Sequence, residues 1–157
     1  MVKSKIGDIY NYRAVSPRLI TSGQPTEKQL ASVACEGFNA IINLALHDDP
    51  RYSLRDEADH VKSLGMEYTH IPVQFDAPTE IDLLAFFAAM DKHQDQKILV
   101  HCAANMRVTA FMGLYQTIKQ NKPPEEAFAL MKTVWEPNPV WSSFISAMLA
   151  KHRKPPD

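Results

Sequence analysis

The chain has 157 residues, of which 45% are hydrophobic, and this is enough apolar material for one compact domain with a single core. Its 17 basic and 18 acidic side chains nearly cancel and are spread along the sequence, which excludes a basic face for nucleic acid and a polybasic membrane patch. No stretch has the length of a membrane span or of a signal-peptide core, so we expect a soluble protein, cytoplasmic or, if a signal peptide was trimmed, periplasmic.

The spacing of apolar residues predicts strands that alternate with helices in one domain over residues 1–157, with 152–157 as a frayed tail. Thr26 and Thr79 are predicted helix N-caps, and Gly37 and Gly65 are predicted helix stops. The alternation predicts a three-layer α/β domain with a mostly parallel central sheet flanked by helices. The predicted strands are 9–15, 19–22, 40–46, 67–73 and 98–100. The predicted helices are 26–36, 56–64, 79–93, 109–119, 125–134 and 140–151.

One turn of this predicted fold carries a cysteine and an arginine. Cys102 follows the apolar strand 98–100, and Arg107 comes just before a predicted helix. The first amide groups of a helix have no intrahelical partner, and the helix dipole adds partial positive charge there. Together with the Arg107 guanidinium, these groups would hold an anion and stabilise a thiolate. A lone cysteine after a strand is otherwise a small buried core residue, but His101 and Arg107 add polarity that a plain core lacks.

The order His101, Cys102, four residues and Arg107 resembles the signature of the cysteine-dependent tyrosine and dual-specificity phosphatases. In that family five residues separate the cysteine from the arginine, and Ser or Thr follows. Residues 102–107, here called the signature loop, are one residue shorter and lack the family's usual glycine. Val108 stands at the Ser or Thr position.

The resemblance extends upstream of the signature loop. Segments 19–26, 37–44 and 68–73 are similar, in order and spacing, to the bacterial tyrosine-phosphatase-like proteins of uncharacterised function. The resemblance implies a phosphatase fold and a phosphotyrosine-like or other small phosphoester, or a phosphoprotein, as substrate. We expect no cofactor and no metal.

It also implies how the site would work. Cys102 would attack phosphorus and form a cysteinyl phosphate. Asp76, after the strand 67–73, would protonate the leaving oxygen, although a plain surface-loop aspartate is the alternative. The phosphate, or a sulfate-like anion, would be held by the backbone amides and the guanidinium of the signature loop. These belong to Ala103, Ala104, Asn105, Met106 and Arg107.

Three residues would support the loop. The resemblance implies that the His101 side chain points behind the loop and orients it. Thr109, one place later than the family's hydroxyl, would donate to the sulfur, but a residue at a helix start also has a structural role. Asn105 would replace the missing glycine, because asparagine tolerates left-handed backbone angles.

The short loop keeps two other functions open. A pocket with fewer amides would bind phosphate or another oxyanion with weak or no turnover, because small misplacements reduce rates strongly. The loop length also resembles that of the rhodanese-like sulfurtransferases, in which the cysteine carries a persulfide. In this chain Cys102 would then transfer sulfur.

Other polar and aromatic clusters have simpler interpretations. His47, Asp48 and Asp49 are expected to satisfy a turn or face solvent rather than bind metal. Arg51 and Arg55 are expected to be exposed, with a place at the mouth of the pocket for an anionic substrate as the alternative. Cys35 is predicted to be a buried helix residue. Two tryptophans, Trp135 and Trp141, are expected to pack the last two helices together, with a substrate or partner surface as the alternative.

Overall fold

The computed structural model describes residues 6–46 and 53–153. A short 3-10 helix, Ile6–Asp8, precedes the main elements. The strands are β1 Arg13–Ser16, β2 Leu19–Ser22, β3 Ala40–Asn43, β4 Glu67–His70 and β5 Ile98–His101. The helices are α1 Glu27–Cys35, α2 Glu57–Ser63, α3 Glu80–Lys92, α4 Met106–Ile118, α5 Pro124–Ala127, α6 Ala129–Lys132 and α7 Pro139–His152.

The sheet has the strand order β1-β2-β5-β3-β4, with β1 antiparallel to β2 and the other pairs parallel. The last residues of the four parallel strands lie side by side in the register. Ser22 pairs with His101, His101 with Asn43, and Asn43 with His70. Their carboxyl ends therefore meet at one edge of the sheet, where ligands bind in folds of this class. The predicted mostly parallel sheet is confirmed.

Alternate residues of the central strands enter two separate apolar cores. Ile41 and Leu99 pack with side chains of α1 and α2 on one face of the sheet. Ile42 and Val100 pack on the other face with side chains of α3, α4 and α7. This period of two, with helices covering both faces, gives the predicted three-layer architecture.

The predicted helix signals at α1 and α3 are confirmed. Thr26 caps α1 in a complete capping box with Gln29, and Thr79 caps α3 by accepting a hydrogen bond from the Asp82 amide. Gly37 follows α1 with a φ of 87°, in the left-handed region that favours glycine.

Several boundaries differ from the prediction for local reasons. β3 ends at Asn43, because the Asn43 carboxamide oxygen accepts from the Ala45 amide and turns the chain although the apolar run continues. The helix predicted over 125–134 is broken at Phe128, whose ring lies against the place where a side chain at Gly113 would stand. The helix predicted from residue 109 begins three residues earlier, at Met106.

Candidate active site at the carboxyl edge of the sheet

The signature loop leaves the central strand of the sheet and turns directly into a helix. β5 ends at His101, and α4 begins at Met106. Between them Asn105 adopts left-handed backbone angles, with φ of 66° and ψ of 10°, as predicted. This one residue reverses the chain so that Cys102 and Arg107 belong to the same short turn.

Side-chain hydrogen bonds fix the left-handed turn. Asn105 Nδ2 donates to the Asn11 carbonyl at 2.9 Å and to Thr21 Oγ1 at 3.0 Å. The Thr109 hydroxyl lies 2.8 Å from the Asn105 carbonyl and 3.1 Å from that of Met106. Its proton is therefore engaged by the helix backbone, which gives Thr109 a structural role at this turn.

The carbonyl groups of the signature loop are held from outside. The backbone N–H of Gln24 donates to the Ala103 carbonyl at 3.0 Å, and Asn11 Nδ2 donates to the Ala104 carbonyl at 3.0 Å. Because a trans peptide is planar, the N–H of the following residue points to the opposite side of the loop. Gly23 allows this close approach, since a Cβ there would lie 2.6 Å from the Ala103 oxygen.

Cys102 and Arg107 are both buried. Cys102 is 0% exposed and belongs to the same apolar core as Val100 and Val108. Arg107 is 8% exposed, and its Nη1 donates to the Val73 carbonyl at 2.9 Å. That bond uses one of the five N–H donors of the guanidinium. Arg107 is thereby tied to the start of the connection between β4 and α3.

Asp76 lies on that connection and is exposed. The segment around it is anchored at the preceding residue, since Trp141 Nε1 donates to the Phe75 carbonyl at 2.6 Å. The Phe75 ring lies 5.6 Å from the Trp135 ring and 5.9 Å from the Arg107 guanidinium. The structure thus brings Arg107 and the Asp76 segment together through Phe75 and Val73.

The two tryptophans contact the site and also pack the end of the chain. Trp141 is fully buried and packs against Phe111 of α4, while its indole N–H reaches the loop before α3. No local sequence pattern predicts the contact of Trp141 with Phe75, which is 66 residues away in the chain.

Sequence reasoning also missed a buried polar group behind the signature loop. Glu57, the first residue of α2, lies 2.7 Å from His101 Nε2, and both side chains are 0% exposed. The His101 side chain therefore lies between Glu57 and the Cys102 carbonyl, which is 3.2 Å from its Nδ1. Burial raises the pKa of Tyr68 above its ordinary value, and the charge of neighbouring Glu57 raises it further.

Three lesser expectations have separate outcomes. The prediction that Cys35 is buried was wrong: it lies at the end of α1 and is exposed. Arg55 is exposed as expected, with its Nε 4.0 Å from Asp56. The proposed cluster of His47, Asp48 and Asp49 and the side chain of Arg51 lie outside the described residues.

Two absences hold for the part of the chain that the structure describes. Within it, no group of three or more histidine, cysteine, aspartate or glutamate side chains is arranged to hold a metal ion. In the same ranges, 6–46 and 53–153, none of the helices combines the length and apolar character needed to cross a membrane.

Comparisons with known proteins identify the family of the chain. The family described as DSP-PTPase phosphatase fused to NAD+ kinase matches residues 3–139. No curated protein sequence matches the chain significantly.

Solved structures show the same fold. A DUF442 protein of Shewanella putrefaciens CN-32, a candidate phosphatase, is 33% identical, with 95% of this chain and 97% of that chain covered and a TM-score of 0.84. Tk-PTP in its active form is 23% identical over 90% of this chain and 95% of its own, with a TM-score of 0.70. Pseudomonas aeruginosa TpbA in complex with pTyr is 14% identical over 90% of both chains, with a TM-score of 0.69. The chain therefore belongs to the family described as DSP-PTPase phosphatase fused to NAD+ kinase, within the cysteine-dependent dual-specificity phosphatase superfamily.

Proposed function

We propose that this chain is a cysteine-dependent phosphatase that hydrolyses a phosphotyrosine-like or other small phosphomonoester. The observation that supports this function most directly is the left-handed turn at Asn105. It combines Cys102, Arg107 and the first amides of α4 in one loop at the carboxyl edge of the sheet. The bound pTyr is a property of TpbA, and for this chain it supports only the choice of substrate class.

In the first step the Cys102 sulfur forms a bond to phosphorus as the bond to the ester oxygen breaks. The leaving oxygen takes a proton from Asp76, so that it departs as a neutral alcohol or phenol. The Arg107 guanidinium and the amides of Ala103, Ala104, Asn105 and Met106 hold the equatorial oxygens. Their positive partial charges stabilise the transferred group throughout.

In the second step a water molecule attacks phosphorus and the sulfur leaves as a thiolate. Asp76, now ionised, takes the proton from the water, and inorganic phosphate is released. His101 and Thr109 do not touch the substrate in this scheme. They hold the backbone of the loop, His101 at the Cys102 carbonyl and Thr109 at the Asn105 carbonyl.

A cavity beside the signature loop supplies a place for the organic part of the substrate. It has a volume of about 370 Å³, and its lining includes Tyr10, Leu54 and Ala103. Tyr10 is 56% exposed, so part of its aromatic surface is available to an aromatic or apolar leaving group. Ala103 belongs both to this cavity and to the loop, and Gln24, whose backbone amide bonds the Ala103 carbonyl, also lines the cavity.

A second function is favoured by the burial of the proposed nucleophile. Cys102 is 0% exposed and Asp76 is exposed, in contrast to a site in which both reach the substrate at once. A loop that binds phosphate through Arg107 and its amides without efficient turnover would fit these observations. Sulfur transfer through a Cys102 persulfide, suggested by the loop length, is the third function.

Hydrolysis of an aryl phosphate between mildly acidic and neutral pH tests the proposal. We compare the native chain with Cys102→Ser and with the matched control Cys35→Ser, which changes the exposed cysteine at the end of α1. Activity that vanishes only in Cys102→Ser supports the cysteinyl-phosphate route. Trapping of labelled phosphate on the acid-quenched native chain, and not on Cys102→Ser, would identify the intermediate.

Other outcomes point to the other functions. Native activity no higher than that of Cys102→Ser rejects the phosphatase for that substrate. Phosphate binding that persists without turnover then supports the binding function. Release of thiocyanate when a sulfur-loaded chain is treated with cyanide, lost in Cys102→Ser, supports sulfur transfer.

A further inference from the structure

The signature loop is joined to a turn that lies between the 3-10 helix and β1. Asn11 belongs to this turn and has a left-handed φ of 50°. Such a φ is uncommon for residues other than glycine, and asparagine is among the residues that tolerate it best. Both the side chain and the carbonyl of Asn11 reach the signature loop, 93 residues away in the chain.

Two hydrogen bonds in opposite directions connect Asn11 with consecutive residues of the loop. Its Nδ2 donates to the Ala104 carbonyl at 3.0 Å, and its carbonyl accepts from Asn105 Nδ2 at 2.9 Å. The turn is also fixed from another side, because the Gly23 N–H donates to the Tyr10 carbonyl at 2.7 Å. Asn11 therefore provides a fixed point to which the loop is attached.

The two neighbouring carbonyl groups have backbone donors instead. The Ala103 carbonyl accepts from the backbone N–H of Gln24 at 3.0 Å, and the Asn105 carbonyl accepts from that of Thr109 at 3.2 Å. Backbone donors remain when a side chain is replaced. The Ala104 carbonyl lies between these two and accepts from a side chain, so a single substitution can release it.

The peptide group between Ala104 and Asn105 has two possible orientations. The φ of 66° and ψ of 10° at Asn105 are close to those of the third residue in a type II turn. A type I turn differs mainly by a rotation of the preceding peptide group, which brings this φ to about −90°. Because the peptide is planar, the rotation exchanges the carbonyl oxygen and the N–H between the two sides of the loop.

In the observed orientation the Ala104 carbonyl points outward to Asn11, so the Asn105 N–H points to the opposite side. That is the side on which the loop amides would hold a phosphate. After rotation a carbonyl oxygen would face the anion, where its partial negative charge repels instead of stabilising. The orientation of this one peptide thus decides whether the loop offers a donor or an acceptor there.

We propose that Asn11 is a positioning residue that holds the Ala104–Asn105 peptide with its N–H toward the anion in the signature loop. The inference rests on the proposed function, because it requires that the loop binds phosphate. Asn11 acts only through the backbone of the loop and does not touch the substrate. Its distance from the loop in sequence explains why no local pattern predicted it.

Nuclear magnetic resonance of the 15N-labelled full chain, with saturating inorganic phosphate as the probe, tests the orientation. In the native chain phosphate should shift the backbone N–H signals of both Ala104 and Asn105. In Asn11→Gly, which accepts a left-handed φ but lacks the side-chain donor, the phosphate-induced shift of Asn105 should be lost or much reduced. The shift of Ala104 should remain, because the Ala103 carbonyl keeps its bond to the Gln24 backbone.

Calorimetric titration with phosphate measures the consequence for affinity. We expect Asn11→Gly to raise the Kd by about tenfold, because one hydrogen bond to a charged group is lost. Asn11→Asp, which has the same shape but cannot donate when ionised, should also bind phosphate more weakly. The matched control is Asn121→Gly, which changes an exposed asparagine with a φ of 58° and should leave the Kd unchanged. For aryl phosphates, kcat/KM should fall by about the same factor as the affinity.

The outcomes separate this inference from the proposed function. A native chain that binds phosphate without hydrolysing esters contradicts the phosphatase, while the Asn105 signal still tests Asn11. A native Asn105 N–H that does not respond to phosphate overturns the inference even if the chain hydrolyses esters. So does an Asn11→Gly chain that matches Asn121→Gly in its phosphate affinity and in its Asn105 shift. A native chain that binds no phosphate overturns both.

Discussion

At the scale of single residues, Asn105 determines the shape of the candidate site. A left-handed residue other than glycine normally costs about 1–2 kcal/mol. Here the side chain offsets that cost, because Nδ2 donates to the Asn11 carbonyl and to Thr21 Oγ1. Glycine, which the family usually has in this loop, would give the angles without these bonds. Asparagine provides both the left-handed angles and the two hydrogen bonds.

This comparison predicts an order of stability at residue 105. Asn105→Gly should lower the free energy of unfolding by about 1–3 kcal/mol, because buried hydrogen bonds are lost. Asn105→Ala should lose about 1 kcal/mol more, since alanine also resists the left-handed angles. Urea unfolding measures both.

Asn121 provides the control for that series, because it is exposed and has a φ of 58°. Asn121→Gly should leave the stability nearly unchanged. If Asn105→Ala were as stable as Asn105→Gly, the left-handed angles would not be what selects the residue.

Asp76 allows a second prediction at this scale. If it protonates the leaving oxygen, Asp76→Asn should reduce kcat by about 100-fold for phosphates with poor leaving groups. The reduction should be much smaller for good leaving groups, which depart without a proton. A series of aryl phosphates with increasing phenol pKa measures this dependence.

The matched control removes a carboxylate from the opposite edge of the sheet. Asp95 lies just before β5 in an exposed turn, and Asp95→Asn should leave kcat unchanged across the series. An Asp76→Asn chain with the same loss for every leaving group would show that Asp76 is not the proton donor.

At the scale of elements, α7 restrains the segment that carries Asp76. The Trp141 indole donates to the Phe75 carbonyl, one residue before Asp76, while its ring lies in the core beside Phe111. The last long helix thus fixes a loop from the middle of the chain. Arg107 holds the same segment at Val73.

Removal of the hydrogen bond between the Trp141 indole and the Phe75 carbonyl should loosen the segment that carries Asp76. Trp141→Phe keeps an aromatic ring but leaves the Phe75 carbonyl without its donor, so the free energy of unfolding should fall by about 1–3 kcal/mol. We also expect a lower kcat for substrates that need the Asp76 proton. Thermal unfolding and the aryl phosphate series measure the two effects.

Trp135→Phe is the control for this change. The Trp135 ring also contacts Phe75, but within the described ranges its buried Nε1 has no hydrogen-bond partner. Its replacement by Phe therefore removes no bond and should cost less stability. Equal effects of the two substitutions would mean that ring packing, not the indole hydrogen bond, anchors the segment.

The elements themselves could be predicted because their signals are local. Thr26 with Gln29 and the apolar run that contains β3 each lie within a few residues, and both appear in the structure. The boundaries were less predictable. Asn43 ends β3 through a side-chain bond, and Phe128 breaks a helix by packing on Gly113, neither of which follows from spacing.

The candidate site was predictable only in part, because some of its contacts join residues that are distant in sequence. Cys102, Asn105 and Arg107 lie in six consecutive residues, from which the left-handed angles of Asn105 could be predicted, while the chemical roles of Cys102 and Arg107 stay predictions. Glu57 and Trp141 contact the site from elements that are distant in sequence, and only the folded chain brings them there.

At the scale of the whole molecule, α3 and α7 cover one face of the sheet and are joined by an ion-pair cluster. Glu80, at the start of α3, lies 2.8 Å from Lys151 Nζ and 2.7 Å from His152 Nε2 in the last turn of α7. Hydrogen bonds from Lys151 and His152 lower the pKa of Glu80 below its ordinary value of 4.5. The negative charge of Glu80 is therefore favoured by folding.

The sign of the resulting pH dependence follows from linkage. The contribution of Glu80 is fully present above pH 4.5, where the unfolded carboxyl is ionised, and is lost as the pH falls through the lower folded pKa. Glu80→Gln should thus be less stable than the native chain at neutral pH, and the difference should vanish in acid. The effect should be small and reduced by salt, because the cluster is partly exposed.

Urea midpoints from neutral pH into the acid range measure the stability difference between Glu80→Gln and the native chain. The control is Glu125→Gln, which changes an exposed glutamate on α5. A stability difference that is the same at neutral and acid pH would mean that Glu80 joins the two helices by packing and not by charge.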